Sequence, residues 1–171
     1  MQNSEAEEKT ALIQKIRRAF AGTVRPGSRK SIDGDPYDGF EIEEMYERLR
    51  NLDWEQIPLN IERYRHGPLH CLTPDAFGYF LPGYMIACIS DPEEADVLWY
   101  GVYWQLAPID LLGQRVDGTG PLGRLINGMT PEQREAVYAY LSFEYRNAAD
   151  QIDRQSIESP YKFWKNLVRR S

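Results

Sequence analysis

A chain of 171 residues is long enough for one domain with a sizeable core, and its 42% hydrophobic and 27% charged residues exclude a disordered or collagen-like polymer. A net charge of −6 excludes the basic balance on which nucleic-acid binding depends. The longest uncharged run, Ala76 to Ser90, is shorter than the roughly 20 residues that cross a bilayer, and Met1-Gln2-Asn3-Ser4-Glu5 has neither the basic nor the apolar part of a signal peptide, so a cytoplasmic protein with no membrane partner is expected.

Ser4 to Ala21 reads as an amphipathic helix with Leu12, Ile13, Ile16, Ala19 and Phe20 on one face, ended by Gly22. Residues 23-35 are rich in Gly, Ser, Pro and charge and read as a surface loop. Asp38 is the expected N-cap of a second helix, with Glu41 at the capping-box position and Tyr37 and Ile42 placed for a hydrophobic staple. Ile42, Met45, Tyr46 and Leu49 form its inner stripe. Glu43, Glu44, Glu47, Arg48 and Arg50 form its outer face. Trp54, Ile57 and Leu59 are expected to turn back onto the core, followed by a short helix over Asn60 to Arg65 that Gly67-Pro68 stops.

A recurring start signal dominates the second half: an oxygen-bearing side chain followed by proline. Thr73-Pro74, Asp91-Pro92, Thr130-Pro131 and Ser159-Pro160 each place an acceptor at the N-cap and a proline where a missing N–H costs nothing. Thr130 with Gln133 and Asp91 with Glu94 also have capping-box spacing. The helix from Thr73 contains Pro82, and Gly78 four residues earlier gives the chain room to kink there instead of stopping. Its apolar residues lie nearly all round, as in a central core helix. Asp91 opens a helix through Leu98, Trp99, Val102, Tyr103 and Leu106 to a stop at Pro108, forming an antiparallel hairpin with its predecessor. Residues 109-129, with five glycines, read as a surface loop containing a short helix at Pro121 to Asn127. Thr130 caps a helix with Val137, Tyr140, Leu141 and Glu144 at helical spacing, and Ser159 a last one carrying Tyr161, Trp164, Leu167 and Val168. The sum is an all-α single domain over 1-171, a bundle of five or six helices around a central apolar helical hairpin.

Charge is distributed unevenly. No Lys or Arg lies between His66 and Gln114, while Asp75, Asp91, Glu93, Glu94, Asp96 and Asp110 do. These six acids account for the whole imbalance, since the remaining residues hold 20 acids and 20 bases. Such a segment suits either a basic protein partner or a solvated acidic surface. Of Trp99, Tyr100, Tyr103 and Trp104, helical geometry sends Trp99 and Tyr103 to the core and leaves one of Tyr100 or Trp104 near the surface as an interface residue.

Catalytic patterns fail one by one. His66, His70, Cys71 and Cys88 lack an accepted zinc spacing, so no metal and no cofactor are expected. Both cysteines stand in apolar stretches that raise a thiol pKa, which suits buried core thiols and neither a nucleophile nor a disulfide scaffold. Asp33, Asp35 and Glu44 occupy three positions of a calcium loop, but Tyr37 and Asp38 break the rest of that pattern. Gly118-Thr119-Gly120-Pro121-Leu122-Gly123 lacks the Lys-Ser/Thr of a phosphate loop.

Several segments carry a resemblance. They are Ala19-Phe20-Ala21-Gly22 with Arg25-Pro26-Gly27, Gly34-Asp35-Pro36-Tyr37-Asp38, Leu52-Asp53-Trp54, Leu72-Thr73-Pro74-Asp75-Ala76-Phe77-Gly78-Tyr79-Phe80-Leu81-Pro82, and Met129-Thr130-Pro131-Glu132-Gln133-Arg134-Glu135-Ala136-Val137. The chain resembles, over about residues 10 to 145, a bacterial family of unknown function. The resemblance implies a small, mainly helical, soluble bacterial protein and transfers no catalytic residue. The segment from Ile152 onward is expected to lie beyond it.

The expected function is that of a non-enzymatic binding protein. Its sharpest form is an immunity protein that neutralises a basic toxin, such as a nuclease, through an acidic and aromatic face. Asp35, Tyr37, Asp38, Glu41, Glu44, Asp91, Glu93, Glu94, Asp96 and Tyr100 are the expected contact residues, with Tyr37 or Tyr100 as anchor. The alternatives are a self-associating regulatory or scaffold protein, and a small-molecule-binding enzyme with loop 113-128 as a lid.

Overall fold

Side-chain caps at Thr73, Asp91, Thr130 and Asp150 set four of the helix starts. The computed structural model describes residues 2–27, 39–63, 69–108 and 120–170, which form helices and connecting turns with no strand among the described residues. The helices are α1 (Gln2–Phe20), α2 (Gly39–Leu49), α3 (Pro74–Ser90), α4 (Pro92–Ala95), α5 (Leu98–Leu106), α6 (Pro121–Gly128), α7 (Pro131–Asn147) and α8 (Gln151–Val168). Short 3-10 turns cover Trp54–Gln56, Pro58–Arg63 and Leu69–Cys71. The all-α class is thus as expected. No helix among the described residues is long and apolar enough to cross a membrane. The chain separates into two compact units, Met1–Ala21 with Leu106–Ser171, and Gly22–Gln105.

In the first unit α7 packs against both α1 and α8. Thr130 accepts from the Gln133 N–H at 3.2 Å and the Gln133 side chain accepts from the Thr130 N–H at 3.0 Å, completing the expected capping box. Leu12, Ile16 and Phe20 of α1 are buried, as are Val137, Tyr140 and Leu141 of α7 and Ile157 and Trp164 of α8. The Trp164 indole N–H donates to the Leu106 carbonyl at 3.0 Å, which satisfies a polar group inside an apolar core. Ion pairs Lys15–Glu135, at 3.7 Å, and Arg146–Glu8 join α1 to α7 at the rim. Gly22 ends α1 with φ +77°, a left-handed conformation that glycine adopts without penalty. The short α6 lies where a helix at Pro121 to Asn127 is expected.

The start of α8 corrects the sequence reading. Asp150 is the N-cap, accepting from the Ile152 and Asp153 N–H groups at 2.8 and 2.9 Å, and Ser159-Pro160 falls in mid-helix. Proline withholds one N–H from the Ser156 carbonyl. The helix continues because its apolar face, Ile157, Pro160 and Trp164, is buried on both sides of that point. Tertiary burial outweighs one lost hydrogen bond.

In the second unit α3 is the central element. It runs unbroken through Pro82, and Phe77 and every residue from Tyr79 to Ile89 are buried. Thr73 accepts from the Ala76 N–H at 3.2 Å as its cap. The Trp54–Gln56 and Pro58–Arg63 turns lie against α3, with Trp54, Ile57 and Ile61 buried. Leu59, expected in that core, is instead 86% exposed, because the 3-10 turn at Pro58–Arg63 directs Ile61 inward in its place. Residues 64–68, into which the expected short helix runs, lie outside the described residues. Met45 and Leu49 of α2 are buried, and the Arg25 guanidinium donates to the Leu49 carbonyl at 2.6 Å, capping the α2 C-terminus.

The expected single helix from Asp91 to Leu106 is two. Asp91 accepts from the Glu94 N–H at 3.1 Å and starts α4 as foreseen, but the helix lasts one turn. Asp96 then takes φ 43°, ψ −119°, a backbone state rare for any residue but glycine, and α5 begins two residues later. The bend lets Ala95, at 0% exposure, and Leu98, at 2%, both reach the core across the corner.

Candidate functional site

The corner between α4 and α5 has the chemistry of an interaction surface. Asp91, Glu93 and Asp96 are exposed and Glu94 is half-buried. Among the described residues no Lys or Arg forms an ion pair with Asp91, Glu93 or Asp96. Part of this acidity serves the helix start, since carboxylates in a first turn interact favourably with backbone N–H groups. Asp91 is committed to that role by its cap hydrogen bond.

Helix α5 is apolar on two faces. Leu98, Val102, Tyr103 and Leu106 are buried. Val97, Tyr100 and Trp104, spaced three, four and seven residues apart, occupy another face and are 52%, 43% and 38% exposed. Helical spacing puts these three on one stripe, and the Gly101 N–H bond to the Val97 carbonyl at 3.3 Å extends the turn to include Val97. The Tyr100 and Trp104 rings stand 5.9 Å apart, and Trp99 meets Tyr100 edge-on at 5.5 Å. The expectation that only one of Tyr100 and Trp104 would reach the surface is therefore corrected: both do, because residues four apart share a face. Gly101 fixes the inward side, since a Cβ there would stand 3.2 Å from Leu69 Cδ1.

The other expected contact residues are placed as follows. Asp35, Tyr37 and Asp38 lie outside the described residues, and Glu41 lies in the first turn of α2. Glu44 is exposed on α2 and forms an i,i+4 ion pair with Arg48, which compensates its charge locally. α2 packs on the Leu69–Cys71 turn, whereas α4 packs on α3 and Pro58–Arg63. The acids of α2 and of α4 are therefore carried on separately supported elements, and the aromatic stripe follows those of α4 in the chain, starting at Val97 next to Asp96.

Other chemistry is sparse. Among the described residues no group of three or more His, Cys, Asp or Glu is arranged to hold a metal. His70 is exposed, Cys71 and Cys88 are buried thiols, and His66 and residues 113–119 lie outside the described residues. Tyr79 of α3 is joined to a carboxylate: its hydroxyl donates to Asp53 at 2.9 Å. Burial first, and the Asp53 hydrogen bond second, push its pKa above the ordinary tyrosine value. That pair ties α3 to the turn at Trp54.

A second surface escaped the sequence reading. Tyr161 of α8 stacks with Tyr145, with centroids 4.5 Å apart and planes at 6°, and with Tyr138, at 6.1 Å and 22°. Arg154 lies 5.5 Å above the Tyr145 ring and Lys165 5.4 Å above the Tyr161 ring. The legible signal was Tyr138 and Tyr145 seven residues apart on one helix face. The unreadable part was Tyr161, whose place depends on how α8 packs.

The searches of curated proteins and of solved structures give no match. A family model matches residues 8–168, so the similarity includes all of α8 and corrects the expectation that it ends before Ile152. The matched model is that of the family of unknown function DUF6714, and the chain belongs to that family.

Proposed function

We propose that this is a non-catalytic binding protein whose α4–α5 corner docks a basic protein partner. In its specific form it is a cytoplasmic bacterial immunity protein, and the partner is a basic toxin such as a nuclease. The observation that carries the reading is the sequence of exposed acids Asp91, Glu93 and Asp96, which form no ion pair with Lys or Arg among the described residues, running into the exposed stripe Val97, Tyr100 and Trp104. Aromatic side chains supply most of the energy in protein interfaces, and flanking charge of one sign selects and steers a partner of the other. The absence of Lys and Arg between His66 and Gln114 leaves that field unopposed along the sequence.

The test is affinity capture from the native host with the wild type, with Glu93→Lys/Glu94→Lys/Asp96→Lys, and with Trp104→Ala. The reading predicts one basic protein retained by the wild type and lost by both variants, and rescue of cells from that protein by co-expression of the wild type. A captured protein that is retained equally by all three forms contradicts it.

A further inference from the structure

We infer that the α4–α5 corner also receives the basic face of α8 from a second copy of this chain, so that copies associate through unlike surfaces. The inference rests on reading that corner as an interface. Its own evidence lies at the other surface. On α8, Arg154, Glu158, Tyr161, Lys162, Lys165 and Arg169 recur at helical spacing on the side opposite the buried Pro160 and Trp164. Glu158 is the one acid of this face and pairs with Lys162 at 2.6 Å. The face therefore carries an excess of positive charge.

Its construction says what it accepts. The Tyr161 ring stacks with Tyr145 and carries Lys165, and the ring of Tyr145 carries Arg154. The Lys165 ammonium donates to the Tyr161 hydroxyl at 3.4 Å, and with Arg154 and Lys162 the face offers a surplus of cationic N–H donors. Carboxylates are the complement, and the chain itself provides them in the exposed Asp91, Glu93 and Asp96, followed along the chain by the exposed Tyr100 and Trp104 rings on which arginine stacks well. Both faces are open in the single chain, with Trp104 38% exposed and Arg154 and Lys162 exposed. Because the two surfaces differ, the contact is heterologous, and each copy has one acidic and one basic surface to offer.

Sedimentation of the full chain at low and high salt, over a dilution series, tests this. At low salt the wild-type mass should rise with concentration above the 19.9 kDa of one chain and return to it at high salt. Glu93→Lys/Glu94→Lys/Asp96→Lys and Arg154→Glu/Lys162→Glu/Lys165→Glu should each lower the association constant at least about tenfold, the effect of about 1.4 kcal/mol. An equal mixture of the two should associate again, since each retains one native face and the two altered faces complement each other. Circular dichroism checks the fold of each. Glu93→Gln/Asp96→Asn replaces the first set if the reversal unfolds α4. A wild type that stays monomeric at low salt overturns the inference, as does self-association that survives both reversals or a mixture that stays monomeric. A monomer that still captures a basic host protein, with loss on the α4 reversal, overturns this inference alone and leaves the heterologous reading intact.

Discussion

Gly83 of α3 lies directly against the carbonyl of Trp54: a Cβ at Gly83 would stand 2.2 Å from that oxygen and 2.8 Å from the Ile57 Cβ. The turn at Trp54–Gln56 therefore rests on the α3 backbone itself, and no side chain fits between them. Gly83→Ala should destabilise the protein by about 3 kcal/mol, the upper part of the range for overpacking, read from the midpoint of urea unfolding. A change within about 0.5 kcal/mol would show that the turn is not seated there.

Asp96 tests the corner in the opposite direction. Its φ of 43° with ψ −119° disfavours a side chain. Asp96→Gly should raise stability by about 1 kcal/mol in thermal or urea unfolding, relief of strain exceeding the added freedom of the unfolded chain. A loss of stability would mean that the Asp96 side chain holds the corner more strongly than its backbone resists it.

The start of α8 gives a paired test. Asp150→Ala should cost about 1 kcal/mol, because two backbone N–H groups lose their acceptor. Ser159→Ala should stay within about 0.5 kcal/mol, since Ser159 lies in mid-helix. The reverse pattern in urea unfolding would place the helix start at Ser159.

These positions also mark what the sequence makes legible. Thr73, Asp91 and Thr130 act as caps because capping is local: an acceptor, a proline and the next N–H groups lie within a few residues. The same local pattern at Ser159-Pro160 is overruled by burial of Ile157 and Trp164 on either side, and nothing in the residues around Asp96 marks a break. Gly83 reads as an ordinary helix residue, because the group it makes room for comes from Trp54, far away in sequence. At the candidate site the acids of α4 are readable as charge. That Val97, Tyr100 and Trp104 all stay outside depends on how α5 packs, which is settled by Gly101 against Leu69.

Tyr79 carries a pH signature. Its pKa is raised in the fold by burial and by the bond to Asp53, above an unfolded value near 10.0. The neutral phenol is favoured by the folded state, so its contribution is fully present below about pH 10 and is lost as pH rises through the folded pKa. Wild-type stability should therefore fall more steeply above about pH 10 than that of Tyr79→Phe. Parallel pH dependence of the two in urea unfolding would show that the phenol titrates alike in both states.

The central claim, that the α4–α5 corner is a protein interface, is tested most directly by association kinetics with the captured basic partner. The association rate for the wild type should fall as ionic strength rises, and Glu93→Lys/Glu94→Lys/Asp96→Lys should lower it at least about tenfold at low salt with the far-ultraviolet circular dichroism unchanged. Trp104→Ala should leave the association rate nearly as it is and speed dissociation, because steering belongs to the charges and retention to the buried aromatic. Association and dissociation rates equal to the wild type's in both variants would contradict the claim and leave the acids of α4 as a helix start alone.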